Sequence, residues 1–116
     1  MHKLVILIRD LDDWNAFDAG WPSFLHHAEE MPGLRKEAIS HVERFLYGDS
    51  VYVRMYELYF DSLQEAERAL SSQQGQAAGH LLQQLTAGRM VLFFAEHKED
   101  DLDNIRRYVH ANDAPQ

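Results

Sequence analysis

The sequence contains no cysteine, which excludes disulfide staples and thiolate metal sites. Basic residues are few, 11 Lys and Arg against 19 Asp and Glu, for a formal charge of −8. The longest basic clusters are only Arg35-Lys36 and Arg106-Arg107. Neutralising a run of phosphates takes more than that, so nucleic acid is not expected as a partner. Long hydrophobic runs are missing too. After Met1-His2-Lys3 the apolar stretch is only Leu4 to Ile8, too short for a signal-peptide core or a membrane span. No membrane partner is expected, and the cytoplasm is the expected compartment. GxGxxG, the P-loop and GxSxG are all absent, so dinucleotide, nucleotide and serine-hydrolase functions lack support.

What the chain does contain fits one soluble domain. It has 116 residues, 46% hydrophobic and 26% charged, enough for one core and too few for two. Its strand-like runs are apolar at both parities. In Val51 to Phe60 the odd positions carry Val51, Val53, Met55 and Tyr59, and the even ones Tyr52, Tyr56, Leu58 and Phe60. Side chains alternate across a strand, so both faces call for burial. Leu4 to Ile8 and Met90 to Ala95 behave alike.

Between these runs, Trp14, Phe17, Trp21, Phe24, Ala28 and Met31 recur at helical steps after the acidic start Asp10-Leu11-Asp12-Asp13, which suits a helix N-terminus. Gly20 and Pro22 predict a kink or restart near Trp21, and Pro32-Gly33 a stop. Leu34 to Leu46 predicts a second strand, an edge because Arg35, Glu37, His41 and Glu43 share a parity, with Tyr47-Gly48-Asp49-Ser50 as its turn into the third. Ser62-Leu63-Gln64-Glu65 matches a capping box. It opens a second helix with Leu63, Ala66 and Leu70 as its stripe, which Gly75 is expected to break before a shorter helix over 76–85.

A last strand over about 89–97 precedes Leu102, Ile105 and Val109, a short amphipathic stripe after the cap Asp101, and a frayed end from Ala111. The acidic run Glu99-Asp100-Asp101-Leu102-Asp103 reads as a solvated tail or helix start rather than a metal site.

The order βαββαβ is the ferredoxin-like split βαβ arrangement, an antiparallel four-stranded sheet with both helices on one face. Residues 1–98 form this domain, and 99–116 a C-terminal tail with a short helix. The helix-free face is then apolar and bare, and a second copy of the chain is the expected cover, making a homodimer.

Met31-Pro32-Gly33-Leu34-Arg35, Glu57-Leu58-Tyr59-Phe60-Asp61-Ser62-Leu63, Gly75-Gln76-Ala77-Ala78 and Gly88-Arg89 together resemble the EthD-like family of dimeric α+β barrel proteins, over about residues 3–98. The resemblance implies a homodimer of ferredoxin-like protomers with a ligand pocket between each sheet and its helices. Its superfamily includes cofactor-free monooxygenases, muconolactone isomerases, polyketide cyclases and haem-handling relatives. Many EthD-like members carry a histidine in the first helix. Aligned on Pro32-Gly33-Leu34, that position is Phe24 here, and no family histidine role is carried over.

Candidate chemistry comes from the residues themselves. His26 and His27 are adjacent, so they project about 100° apart on a helix and cannot chelate one metal together. His27 borders the apolar stripe and is a candidate acid or base; a surface pair is the plain alternative. Arg54 shares a face with Tyr52 and Tyr56, a group suited to a phenolate or carboxylate. Glu57 faces the other way, where an interface ion pair is expected. His41 is expected to play a structural part. Trp14, Phe17, Trp21 and Phe24 of the first helix read as plain core, or else as candidate walls for an aromatic ligand.

The expected catalytic set is therefore His27, Arg54 and Tyr56, and the ligand-binding set Tyr52, Trp21, Phe24 and His26. No cofactor and no metal are called for. The expected partner besides a second copy is a small hydrophobic, aromatic or polyketide-like molecule. Two functions follow: a cofactor-independent oxidoreductase or isomerase, or a non-catalytic binding or accessory dimer. A roomy helix–sheet cavity favours the first, and a closed, packed interior the second.

Overall fold

The computed structural model describes residues 1–112. The side chain of Val109 and residues 113–116, which carry the end of the expected C-terminal stripe and most of the frayed end, lie outside the described residues. The element order is β1 (His2–Arg9), α1 (Trp14–Glu29), β2 (Lys36–His41), β3 (Tyr52–Phe60), α2 (Leu63–Ser71), α3 (Gln73–Thr86), β4 (Met90–Glu96) and α4 (Leu102–Asn112). The four strands make one sheet in the order β2-β3-β1-β4, every neighbouring pair antiparallel. This is the expected α+β, ferredoxin-like arrangement.

Strand parity builds the core. Leu4, Ile6 and Ile8 of β1 pair in register with Leu58, Tyr56 and Arg54 of β3, so all of them share one face. That face packs on Phe17, Phe24 and Ala28 of α1, Ala66 and Ala69 of α2, and Ala78 and Leu82 of α3. Removing each large apolar side chain from water contributes roughly 1.5–3 kcal/mol.

Asp13 caps α1 by accepting from the Ala16 N–H at 3.1 Å, which satisfies one of its free first-turn donors. The expected restart near Trp21 is not present: α1 is one helix with Pro22 inside it. Pro22 is exposed, so the carbonyl it leaves unpaired meets water, while aromatic residues on both sides of it hold the helix to the sheet. Gly20 lets α1 approach α3, because a Cβ there would overlap the Leu85 side chain.

The second helical region breaks at Ser72 instead of at the expected Gly75. Ser72 ends α2 and caps α3, its Oγ accepting from the Gly75 N–H at 3.0 Å. Ser62 caps α2 as expected, accepting from the Glu65 N–H at 3.1 Å. The Glu65 carboxylate, however, pairs with Arg68 at 3.0 Å in place of closing the box. Strand β2 is shorter than expected. From Val42, whose N–H still donates to the Val53 carbonyl at 2.9 Å, residues 42–51 leave the sheet as an arm.

The other sheet face is only partly bare, which corrects the expectation from strand patterning. Beyond β4 the chain turns onto it and runs toward the β2 edge. The His97 N–H donates to the Met1 carbonyl at 2.9 Å, and the His97 ring packs edge-on against Tyr59 at 4.7 Å. Glu99 pairs with Lys36 of β2 at 2.9 Å and with His97 at 2.7 Å. Beneath lie Glu57 and Tyr59, 7% and 5% exposed. Glu57 takes the Lys3 ammonium and a hydrogen bond from the Tyr59 hydroxyl at 3.2 Å. Its ion-pair partner therefore comes from its own chain. A buried carboxylate needs such partners, and they are polar, which is why strand parity alone did not show them.

This strap carries a pH prediction. Hydrogen bonds from His97 first, and then from Lys36, hold the Glu99 carboxyl down to about 2. A depressed carboxylate contributes its full stabilisation above its ordinary value of 4.5 and loses it as pH falls toward about 2. Acidification across that window is expected to free residues 97–99, read as faster hydrogen exchange at the His97 amide after correction for intrinsic rate. Glu99→Gln should produce the same exchange at neutral pH. Unchanged protection in both would contradict the strap.

Candidate functional site

The N-terminal end of α1 and the β2–β3 edge of the sheet frame a groove. Along α1 the aromatic residues form a ladder: Trp14 meets Phe17 edge-on at 5.0 Å, Phe17 stacks with Trp21 at 5.0 Å, and Trp21 lies 4.7 Å from Phe24. The spacing of three and four residues sets this contact, since such residues stand above one another on a helix. Tyr56 of β3 closes the ladder against the sheet, with its ring 5.3 Å from Trp21 and 5.7 Å from Phe24.

Tyr56 is 1% exposed, and its hydroxyl donates to the Glu37 carboxylate on β2. Burial, and then this hydrogen bond, push its ionisation well above the ordinary tyrosine value. The group is thus a held proton donor rather than a phenolate near neutral pH.

Arg54 lies one step along the same face of β3, in register with His41 of β2. Its guanidinium sits over the Trp14 ring at 4.3 Å and 5.2 Å from the Phe17 ring. Its ion-pair partner among the described residues is Asp18, at a long 3.5 Å, and that side chain is 62% exposed whereas Arg54 is 20% exposed. A stacked, half-buried guanidinium with so loose a partner keeps donors for a planar anion. The surrounding cavity, about 270 Å³, is lined by Asp10, Trp14, His41, Val42, Val53 and Arg54. By contrast, the interior between helices and sheet retains only about 20 Å³, walled by Leu4, Ile6, Phe24, Leu58, Leu82 and other small or apolar residues.

The expected residues thus separate. Arg54 lines the groove, Tyr52 lies two residues before it at the root of the arm, and Tyr56, Trp21 and Phe24 stand together behind it. His27 lies elsewhere, in a shallow depression with Glu30, Gln73, Gln74 and Ala77 between α1 and α3. His26 is exposed and faces Glu30 at 3.6 Å. Sequence reasoning left out Asp18 and Glu37, held Trp14 as core or an aromatic wall, and gave His41 a structural part. The signal for His41 and Glu37 was available: they share a parity on β2, and pairing β2 to β3 sets that parity beside Arg54 and Tyr56. Among the described residues no cluster of three His, Asp or Glu side chains is placed to hold a metal ion. No described helix is long and apolar enough to cross a membrane.

Solved structures share this fold. An ethyl tert-butyl ether degradation (EthD) family protein from Bacillus halodurans superposes with a TM-score of 0.78 at 24% identity, over 84% of this chain and 99% of that one. SnoaB, a cofactor-independent oxygenase from Streptomyces nogalater, gives a TM-score of 0.64 at 12% identity, over 85% of this chain and 94% of its own. A dimeric ferredoxin-like protein of unknown function from Jannaschia gives 0.61 at 17% identity, over 83% of this chain and 97% of its own. The fold is therefore ferredoxin-like, as the sequence resemblance implied. No protein-family model matches the sequence, and no curated protein matches it.

Proposed function

We propose that this protein is an EthD-like homodimer that binds a small anionic aromatic molecule, a phenolate or carboxylate, in the groove at Arg54. One observation carries the proposal: a stacked, half-buried guanidinium with a loose, exposed counter-ion, beside His41 in an open cavity. Trp14 offers a ring edge to the ligand, Arg54 binds its oxygens, and His41 supplies a second polar contact. Homodimer formation is supported by the dimeric ferredoxin-like neighbour and by Val91 and Phe93, which remain about 40% exposed on the free half of the sheet.

The packed interior favours binding over catalysis within the core. A catalytic role in the groove is the second reading. It is favoured by the fold shared with a cofactor-independent oxygenase and by the protonated Tyr56 near Arg54.

Isothermal titration with 1-naphthoate and its neutral analogue 1-naphthylmethanol tests the binding. The wild type is expected to prefer the carboxylate, Arg54→Ala to bind it at least tenfold more weakly, and Arg54→Lys to recover part of the loss, since lysine restores charge without the planar fork. Equal binding of the two probes, or an Arg54→Ala variant that binds as the wild type does, would remove the site.

A further inference from the structure

The arm between β2 and β3 carries the most exposed apolar side chains among the described residues. Leu46 is 88% and Tyr47 99% exposed, with Val42, Phe45 and Val51 at 44%, 44% and 50%. It is tied to the body at its root, where Val42 donates to the Val53 carbonyl at 2.9 Å and Asp10 to the Val51 carbonyl at 3.1 Å. Among the described residues, none of its charged side chains, Glu43, Arg44 or Asp49, has an ion-pair partner.

We propose that this arm docks on a second copy of the chain, each copy receiving the arm of the other; this rests on the homodimer proposed above. Two observations select that occupant. The first is area. The strap of residues 97–99 occupies one end of the helix-free sheet face, so that face alone no longer supplies a full interface. Its most exposed large side chains, Val91 and Phe93 at 39% and 42%, offer on the order of a few hundred Å², whereas a stable interface buries roughly 1,200–2,000 Å² in total. Two-fold symmetry makes each arm contact occur twice, and ten apolar side chains from two arms supply the missing area.

The second observation is charge. Arg9, which pairs with Tyr52 beside the root of the arm, has a buried Nε with no hydrogen-bond partner, and it has no carboxylate partner among the described residues. The arm brings Glu43 and Asp49, also unpaired. A contact that places arm carboxylates near the Arg9 of a second copy satisfies both sets. The same root supplies Val42 and Val53 to the ligand groove, so arm docking also fixes one wall of that groove.

The test is sedimentation velocity of the wild type and of the double variant Leu46→Ser with Tyr47→Ser. Both side chains are almost fully exposed in the single chain, so its fold should persist by circular dichroism. Its dimer dissociation constant is expected to rise at least tenfold. A second measurement exploits the absence of cysteine: in Tyr47→Cys the sole thiol should react more slowly with maleimide in the dimer than in diluted monomer. A variant that dimerises as the wild type does, or a thiol equally reactive in both states, overturns the docked arm and leaves the homodimer standing. A wild type that stays monomeric at micromolar concentration overturns both.

Discussion

Gly75→Ala is expected to cost about 3 kcal/mol of folding stability, lowering the melting temperature by roughly 10–15 °C. Ordinarily alanine in a helix is the better residue by up to about 1 kcal/mol, so the sign is itself diagnostic. At Gly75 an added Cβ would overlap the Ala69 carbonyl oxygen and lie 2.8 Å from the Leu70 Cα and carbonyl. These are backbone atoms, which cannot swing aside as a side-chain terminus can. The tight turn at Ser72 forces the first turn of α3 against the end of α2, and only a residue without Cβ fits. Gly79 in the same helix has nothing within 4 Å of a built Cβ. Gly79→Ala is accordingly expected to stabilise by about 0.5–1 kcal/mol. Urea denaturation of the two variants side by side checks the pair; equal effects at both positions would rule out the close approach.

Phe17→Ala should cost still more, about 3–5 kcal/mol, a large share of the 5–15 kcal/mol typical of a domain. Phe17 is 1% exposed, touches Trp14 and Trp21, and lies 5.2 Å from the Arg54 guanidinium. Its ring therefore links core to groove. Because the alanine variant loses so large a share of its stability, Phe17→Leu separates the two roles. Leucine keeps most of the apolar volume, at a cost of about 1–1.5 kcal/mol, but removes the ring behind Trp14 and Arg54. Its 1-naphthoate affinity is expected to fall several-fold while the protein stays folded. Wild-type affinity in Phe17→Leu would show that Trp14 alone positions the guanidinium.

Both effects depend on packing that strand and helix patterns do not carry. The spacing of Trp14, Phe17, Trp21 and Phe24 identified their common face, and the alternation in β3 put Tyr52, Arg54 and Tyr56 together, because both patterns are local consequences of backbone geometry. The same local rules misplaced the break between α2 and α3. Glycine was read as a helix breaker, when its missing Cβ serves a contact between helices. They also put His27 among the candidates for a shared site, since a position on the border of a stripe does not say which neighbour lies beyond it.

The sequence by itself determined the element order, the sheet parity and thus the ferredoxin-like fold, along with the apolar character of both sheet faces. Those properties follow from period-two and period-3.6 patterns that each segment carries alone. Only the tertiary structure decided what covers each face. It turned the strap of residues 97–99 over Glu57 and Tyr59, brought His41 and Glu37 beside Arg54 and Tyr56, filled the helix–sheet interior, and left the arm of residues 42–51 without a partner. Each of these joins residues far apart in the chain, where pairing is set by the geometry of the whole sheet and not by any local preference.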